Sequence, residues 1–356
     1  MPLDDLLIPD VPEDVTAEWM TAALASSCPG VEVSSLEVLD QHSGTTGRVQ
    51  IRIEYVPGTT GPDSVYVKLP PFSASQRRLV DNTDMGRTEA RFYAELAAET
   101  PVRHPRPYYA NYGDTPSEYV MVLEDLTASE HCTLSSLFEP NSATHGRQTI
   151  EALARLHAHF WNDKRFDDEL SWIRPPMRGP FGARLIDSAR EQFGADRPPV
   201  FTELCELYVE HHEAITNIFD EGELTLVHGD THAGNHFIEG DDVGFYDWAV
   251  ISRCPGIRDV AIQLGNSCPT EVRREHQEEW LRAYRSVLVE NGVDAPSYEA
   301  LLDQLRLHLV YAWMSATTTL AMGAKWQDVD VARIATDRAT AACADLESVE
   351  AFRARL

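Results

Sequence analysis

The chain has 356 residues, 43% hydrophobic and 24% charged, with 57 acidic against 30 basic side chains and a formal net charge of −27. That length accommodates two ordinary domains or one bilobed enzyme, and the composition is that of a folded globular chain rather than a disordered one. A field of this sign repels phosphate backbones and anionic membranes, which disfavours nucleic acid and membrane as partners; it suits a cationic substrate, although acidity also simply aids solubility.

The N-terminus, Met1-Pro2-Leu3-Asp4-Asp5, lacks the basic flank and apolar stretch of a secretion signal, and no apolar run reaches the length of a membrane span. The reading is a cytoplasmic protein, monomer or homodimer. Cys28, Cys132, Cys205, Cys254, Cys268 and Cys343 are scattered without a CxxC pair, so free thiols are expected rather than a zinc ribbon or a disulfide framework.

In chain order, residues 16–27 read as a short helix with Thr16 as N-cap. The turn-rich stretch Ser43-Gly44-Thr45-Thr46-Gly47 precedes alternating Val49, Ile51, Ile53 and Tyr55, a half-buried strand. A turn then leads to a second strand, Val65-Tyr66-Val67-Lys68-Leu69, and the two form an antiparallel hairpin. After a looser segment, 72–86, Phe92, Tyr93 and Leu96 recur at helical spacing within 88–99, and 119–123 is a short buried strand. Past Glu124-Asp125-Leu126 the pattern turns helix-rich. The lobe boundary is therefore set there, with 1–126 as one lobe and 127–356 as the other.

Residues 147–161 make a strong amphipathic helix, with Ile150, Leu153, Ala154, His157, Phe160 and Trp161 on one face. The stretch 171–199, rich in Pro, Gly and Arg, reads as irregular, and 201–219 as a helix. Three short strands follow at 224–227, 235–238 and 244–247. From Glu271 onward the pattern is helical.

The chemistry concentrates in Val227-His228-Gly229-Asp230-Thr231-His232-Ala233-Gly234-Asn235 and Phe245-Tyr246-Asp247-Trp248. Phosphoryl transfer asks for an aimed acceptor hydroxyl and for metal ions that neutralise a triphosphate. Asp230 is suited to accept or orient the hydroxyl proton. Asn235, five residues on, and Asp247, ending the next strand, offer hard oxygen ligands to magnesium. The competing reading is an acidic loop with buried polar caps. His228 is read as holding the loop through hydrogen bonds. His232 could join His228 and Asp230 around a metal, but no further ligands stand at zinc-site spacing, which favours oxygen-held magnesium.

Upstream, Lys68 closes an apolar strand, and Glu89 opens a helix on the face of Phe92, Tyr93 and Leu96. An inward carboxylate needs a cation, and Lys68 is the candidate. The pair would grip the α- and β-phosphates of ATP. Gly44, Thr45, Thr46 and Gly47 form a candidate phosphate loop, with an ordinary hairpin turn as its alternative, since the GxGxxG pattern is incomplete. The Glu124 carbonyl and Leu126 N–H are candidates for binding adenine, with a plain linker as the alternative.

These residues resemble a known family. HGDTHAGN followed by FYDW looks like the Brenner-type motif of aminoglycoside and choline phosphotransferases. The run from Asp247-Trp248 to Pro255-Gly256-Ile257-Arg258-Asp259-Val260-Ala261, together with Val122-Leu123-Glu124-Asp125-Leu126 and Leu153 to Trp161, is similar to the ecdysteroid-kinase-like branch. The resemblance implies an α+β, bilobal, protein-kinase-like fold with a five-stranded antiparallel-sheet N-lobe and a mainly helical C-lobe. It implies ATP and Mg²⁺ as cofactors, Asp230 as base, Asn235 and Asp247 as metal ligands, and Asp259 as a brace under the catalytic loop.

A protein kinase would need a long peptide-docking segment after the metal-binding Asp, and only eleven residues separate Asp247 from Asp259. A nucleotide-binding pseudokinase or scaffold is the alternative from another class. The acceptor is expected to be a hydroxyl of an aminoglycoside, an amino-alcohol or a lipophilic alcohol. Trp161, Trp313 and His232 are candidates for its pocket, and Trp172, Phe181, Tyr311 and Trp326 are further aromatics. Core packing is the alternative for each aromatic.

Overall fold

The computed structural model describes residues 6–138, 142–323 and 328–356. These divide into two compact units. The first comprises the chain to Leu134 with Phe237–Gly240 and Gly244–Val250; the second comprises Ser135–His236, Asp241–Val243 and Ile251–Leu356.

The first unit opens with α1 (Ala17–Leu24), which starts where expected because the Thr16 hydroxyl accepts from the Trp19 N–H at 3.2 Å. A five-stranded antiparallel sheet follows, built from β1 (Val33–Ser43), β2 (Gly47–Tyr55), β3 (Ser64–Leu69), β4 (Pro107–Tyr112) and β5 (Tyr119–Glu124) in the order β1-β2-β3-β5-β4. Successive side chains of a strand alternate between faces. Val49, Ile51, Ile53, Val65 and Val67 therefore share one face, where they are buried with Trp19, Met20, Ala23 and Leu24 of α1. Removing each of the Val, Ile, Leu and Met side chains from water stabilises the unit by about 1.5–3 kcal/mol. The register sets Arg48 opposite Lys68, Gln50 opposite Tyr66 and Arg52 opposite Ser64, so these residues share the other face.

Two helices connect β3 to β4: α2 (Ala74–Val80) and α3 (Met85–Glu95). The second is the expected helix, shifted three residues upstream, and it buries Glu89, Phe92 and Tyr93. The first lies in the stretch read as loose. Its N-cap is Ser73, and Gln76 clasps Ser43 of the hairpin turn through both its backbone carbonyl and its hydroxyl. Short strands close the unit, with Cys132 paired to Glu239 and Leu134 to Phe237.

The second unit is mainly helical: α4 (Ala143–His159), α5 (Phe181–Phe193), α6 (Pro199–Phe219), α7 (Ile257–Ile262), α8 (Thr270–Glu290), α9 (Tyr298–Met322), α10 (Val329–Asp345) and α11 (Ser348–Arg353). The first, α4, buries Ile150, Leu153, Ala154 and His157 as its periodicity requires, and Gly146 admits the Trp280 ring where a Cβ would stand 2.3 Å from it. The stretch read as irregular contains α5, whose inward side chains Ala183, Ile186 and Ala189 recur every third residue between Pro180 and Pro198. No helix among the described residues is long and apolar enough to cross a membrane. All six cysteines are free.

Candidate active site

In the first unit, β3 delivers Lys68 and α3 delivers Glu89, and the lysine ammonium is ion-paired to the Glu89 carboxylate. The same ammonium lies 3.3 Å from Oδ1 of Asp247. Lys68 is 7% exposed and Glu89 is fully buried, so neither charge could stand there alone. Burial works against the ammonium, but Asp247 and Glu89 outweigh it and hold Lys68 above its ordinary value. Burial pushes the Glu89 carboxyl up to about 7, with Lys68 and the Trp248 backbone pulling against it and Asp247 adding to it. The cluster holds two carboxylates for one cation.

Asp247 has φ 65°, a left-handed conformation that few residues other than glycine adopt. The residues around it hold that backbone in place. Trp248 is buried against Phe92, with ring centroids 4.1 Å apart and planes 8° apart, and its indole N–H donates to the Phe245 carbonyl at 3.1 Å. The Phe245 N–H is in turn held by the Arg103 carbonyl at 2.9 Å. The Asp247 side chain remains 41% exposed.

The Ser43–Gly47 turn differs from a glycine-rich phosphate cradle. The Gly44 N–H donates to the Thr46 carbonyl at 3.0 Å, and Thr46 is buried. Gly44 does not occupy the left-handed region. Gly47 is required for packing, since a Cβ there would stand 2.2 Å from the Phe72 ring. At the end of β5 the Glu124 carboxylate accepts from Arg103 at 2.8 Å and from the Arg106 N–H at 2.9 Å. Asp125 accepts from Ser64, Gln50 and Thr127, and Leu126 is buried.

In the second unit, the strand Thr225–Val227 pairs with Ser252–Cys254 and leads into the HGD loop. Gly229 turns the chain at φ 85°. Asp259, wholly buried on α7, accepts from the His228 N–H at 2.8 Å and the Gly229 N–H at 2.9 Å. Its carbonyl accepts from the Thr231 hydroxyl at 2.8 Å. His157 of α4 presents Nε2 to the same carboxylate at 3.2 Å and Nδ1 to the Tyr284 hydroxyl at 2.9 Å. The carboxylate only accepts, so Nε2 carries a proton and donates it to Asp259, while Nδ1 and the Tyr284 hydroxyl share the second hydrogen bond.

Beyond the turn, the Asn235 amide donates to the Asp230 backbone carbonyl at 2.9 Å and to Asp230 Oδ2 at 3.1 Å. His232 Nε2 lies 3.5 Å from Oδ2, and its Nδ1 caps the following turn by accepting from the Gly234 N–H at 3.0 Å. Desolvation opposes the Asp230 charge, but His232, His228 and Asn235 prevail and hold its carboxyl below the usual range. The side chain is 42% exposed and open to a partner. The Ala233 N–H donates at 2.8 Å to the hydroxyl of Ser267, the last residue of a π-helical turn, Gln263–Ser267, that extends α7.

The Asn235 amide nitrogen is committed to Asp230, so its Oδ1 is the oxygen left for a cation. In the first unit, the half-exposed Asp247 carboxylate is likewise a hard oxygen donor of the kind magnesium takes. No group of three or more His, Cys, Asp or Glu side chains among the described residues is arranged to hold a metal.

The aromatic candidates separate by burial. Trp313 is a correction: it is wholly buried and packed edge-on to Phe201 at 5.8 Å, so it belongs to the helical core and presents no face to a pocket. Trp161 is half-buried against the same core, Phe181 is exposed, and Tyr311 lies half-buried under the Arg258 guanidinium at 4.4 Å. Trp326 lies outside the described residues. His157, Tyr284 and Ser267 support the loop without having been singled out. Only His157 left a sequence signal, as a histidine on the apolar face of α4.

Comparison with known proteins follows this geometry. A sequence profile described as the ecdysteroid kinase-like family matches residues 39–294. No curated protein gives a significant sequence match. Among solved structures, the chain is similar to the GDP complex of wild-type aminoglycoside 2′-phosphotransferase-IIIa, at 12% identity over 92% of this chain and 99% of that one, with TM-score 0.51. It is similar to the GDP and kanamycin complex of the same kind of enzyme, at 13% identity over 94% and 98%, with TM-score 0.51. It is also similar to a Plasmodium vivax ethanolamine kinase, at 14% identity over 90% and 83%, with TM-score 0.50. At these identities the likeness establishes the kinase-like fold.

Proposed function

Because the chain belongs to the ecdysteroid kinase-like family, a family of small-molecule kinases, we propose that it transfers the terminal phosphoryl group of ATP to a hydroxyl of a small molecule. The observation that carries this reading is the Lys68 ammonium held between a buried Glu89 and a half-exposed Asp247. A buried lysine fixed in this way presents a positioned charge to phosphate oxygens. Magnesium, held by Asp247 and Asn235, would neutralise the triphosphate and the charge that develops on it.

Asp230 accepts the proton of the acceptor hydroxyl while the hydroxyl oxygen takes the phosphoryl group and the nucleoside diphosphate leaves. Its lowered pKa keeps it ionised near neutral pH, as a base must be. Asn235 fixes its orientation by bonding both its carbonyl and its carboxylate. Asp259, His157 and Ser267 act one step behind, holding the loop that presents it. The GDP, kanamycin and ethanolamine named for the similar structures support nucleotide use and an amino-alcohol or aminoglycoside acceptor.

The test is ADP release with magnesium and a panel of aminoglycosides, amino-alcohols and lipophilic alcohols, run beside Asp230→Asn. The expected result is turnover with at least one class and a fall in kcat of ~10²–10⁴ in the variant, with nucleotide affinity retained. Tight ATP binding with no acceptor phosphorylated would replace catalysis with a nucleotide-binding scaffold.

A further inference from the structure

The sheet face that carries Lys68 also carries a second cation. Arg48 stands directly opposite Lys68 in the β2–β3 register, so both side chains leave the same face of the sheet. Like charges placed directly across a strand pair destabilise it. Lys68 is compensated by Glu89 and Asp247. Arg48 is exposed, and its side chain makes no hydrogen bond, ion pair or ring contact among the described residues. Its charge reaches Lys68, Tyr66 and Tyr246, the neighbour of Asp247. In a chain with 57 acidic residues to choose from, an uncompensated guanidinium facing a lysine indicates an anion supplied from outside.

The turn immediately before Arg48 strengthens the case. A loop that binds phosphate through its backbone needs outward N–H groups, usually from glycines in left-handed conformations. Here the Gly44 N–H is spent on Thr46, the Ser43 hydroxyl and carbonyl are taken by Phe72 and Gln76, and the Phe72 ring lies where a Gly47 Cβ would stand. We propose that Arg48 grips the phosphate tail of the nucleotide from the strand that follows this turn, through its guanidinium fork. The inference rests on the nucleotide use proposed above.

Its test is calorimetric binding of Mg·ATP, ADP and AMP to the wild-type protein, Arg48→Gln and Arg48→Lys. Because Arg48 is exposed and faces a like charge, the variants should melt no lower than the wild type. Arg48→Gln is expected to weaken ATP by roughly tenfold or more, the size of one charge-assisted contact. ADP should weaken less and AMP hardly at all, and Arg48→Lys should restore part of the ATP loss. Equal weakening of all three nucleotides, or none, would overturn the role of Arg48 while leaving the kinase reading intact. Failure of the wild-type protein to bind any nucleotide would overturn both.

Discussion

Replacing Asp259 with Asn removes one charge and changes one atom, and the structure sets the cost. The carboxylate receives two backbone N–H groups, at 2.8 and 2.9 Å, and faces the protonated Nε2 of His157 at 3.2 Å, all without access to water. Hydrogen bonds to a charged acceptor contribute about 1.5–3 kcal/mol each. Asparagine keeps one oxygen and so one of the two backbone bonds, now neutral. Its NH₂ group points at a second donor that has nowhere else to go. Relief of the buried charge offsets part of the loss, which leaves a net destabilisation of about 3 kcal/mol, a substantial part of the ~5–15 kcal/mol of an ordinary domain. Urea unfolding of wild type and variant near neutral pH, with linear extrapolation, measures it directly. Asp259→Ala should cost more, because it orphans both backbone donors. If Asp259→Asn lies within about 1 kcal/mol of wild type, the carboxylate is not what holds the HGD turn, and the bracing argument fails.

Lys68→Met leaves the buried Glu89 without its cation and should cost about 3–5 kcal/mol near pH 8. In that variant the folded Glu89 pKa rises beyond its present value of about 7, far above the unfolded one. The folded state then binds the extra proton, so the variant should regain stability on acidification from pH 8 to pH 6; a loss over that interval would contradict the reading. His236 gives the opposite sign. Burial, with His232 and His228 adding to it, lowers its pKa from 6.5 to about 3. Its stabilising contribution is complete above 6.5 and should fall by about 1.4 kcal/mol per pH unit as the solution is acidified towards 3. His236→Gln should flatten that limb of the stability curve, and identical acid limbs would refute it.

The site was legible where chemistry fixes spacing. Asp230 and Asn235 stand five residues apart because a single tight turn must bring an amide to a carboxylate. Lys68 and Glu89 were readable as a pair because a charge on an apolar face demands an opposite one. The supports were less legible. Ser267 reaches the loop only because α7 ends in a π-turn, and Tyr284 only because α8 packs beside α4, and neither leaves a local pattern. In the fold, α2 was hidden because its segment has little apolar periodicity, and α5 because flanking Pro and Gly masked three small inward side chains. β4 was missed as an edge strand led in by prolines. Trp313 was misplaced because an aromatic residue in a helix reads the same whether it faces a pocket or a core.

The π-turn from Gln263 to Ser267 accommodates one residue more than a regular helix would over the same rise. Successive residues of a helix are rotated by about 100°, so deleting one of the five would restore an ordinary spiral but swing Ser267 away from the Ala233 N–H. A shortened chain could thus gain helical regularity and still lose the hydroxyl that steadies Asn235's turn. Any relative lacking that extra residue must anchor the same turn from somewhere else.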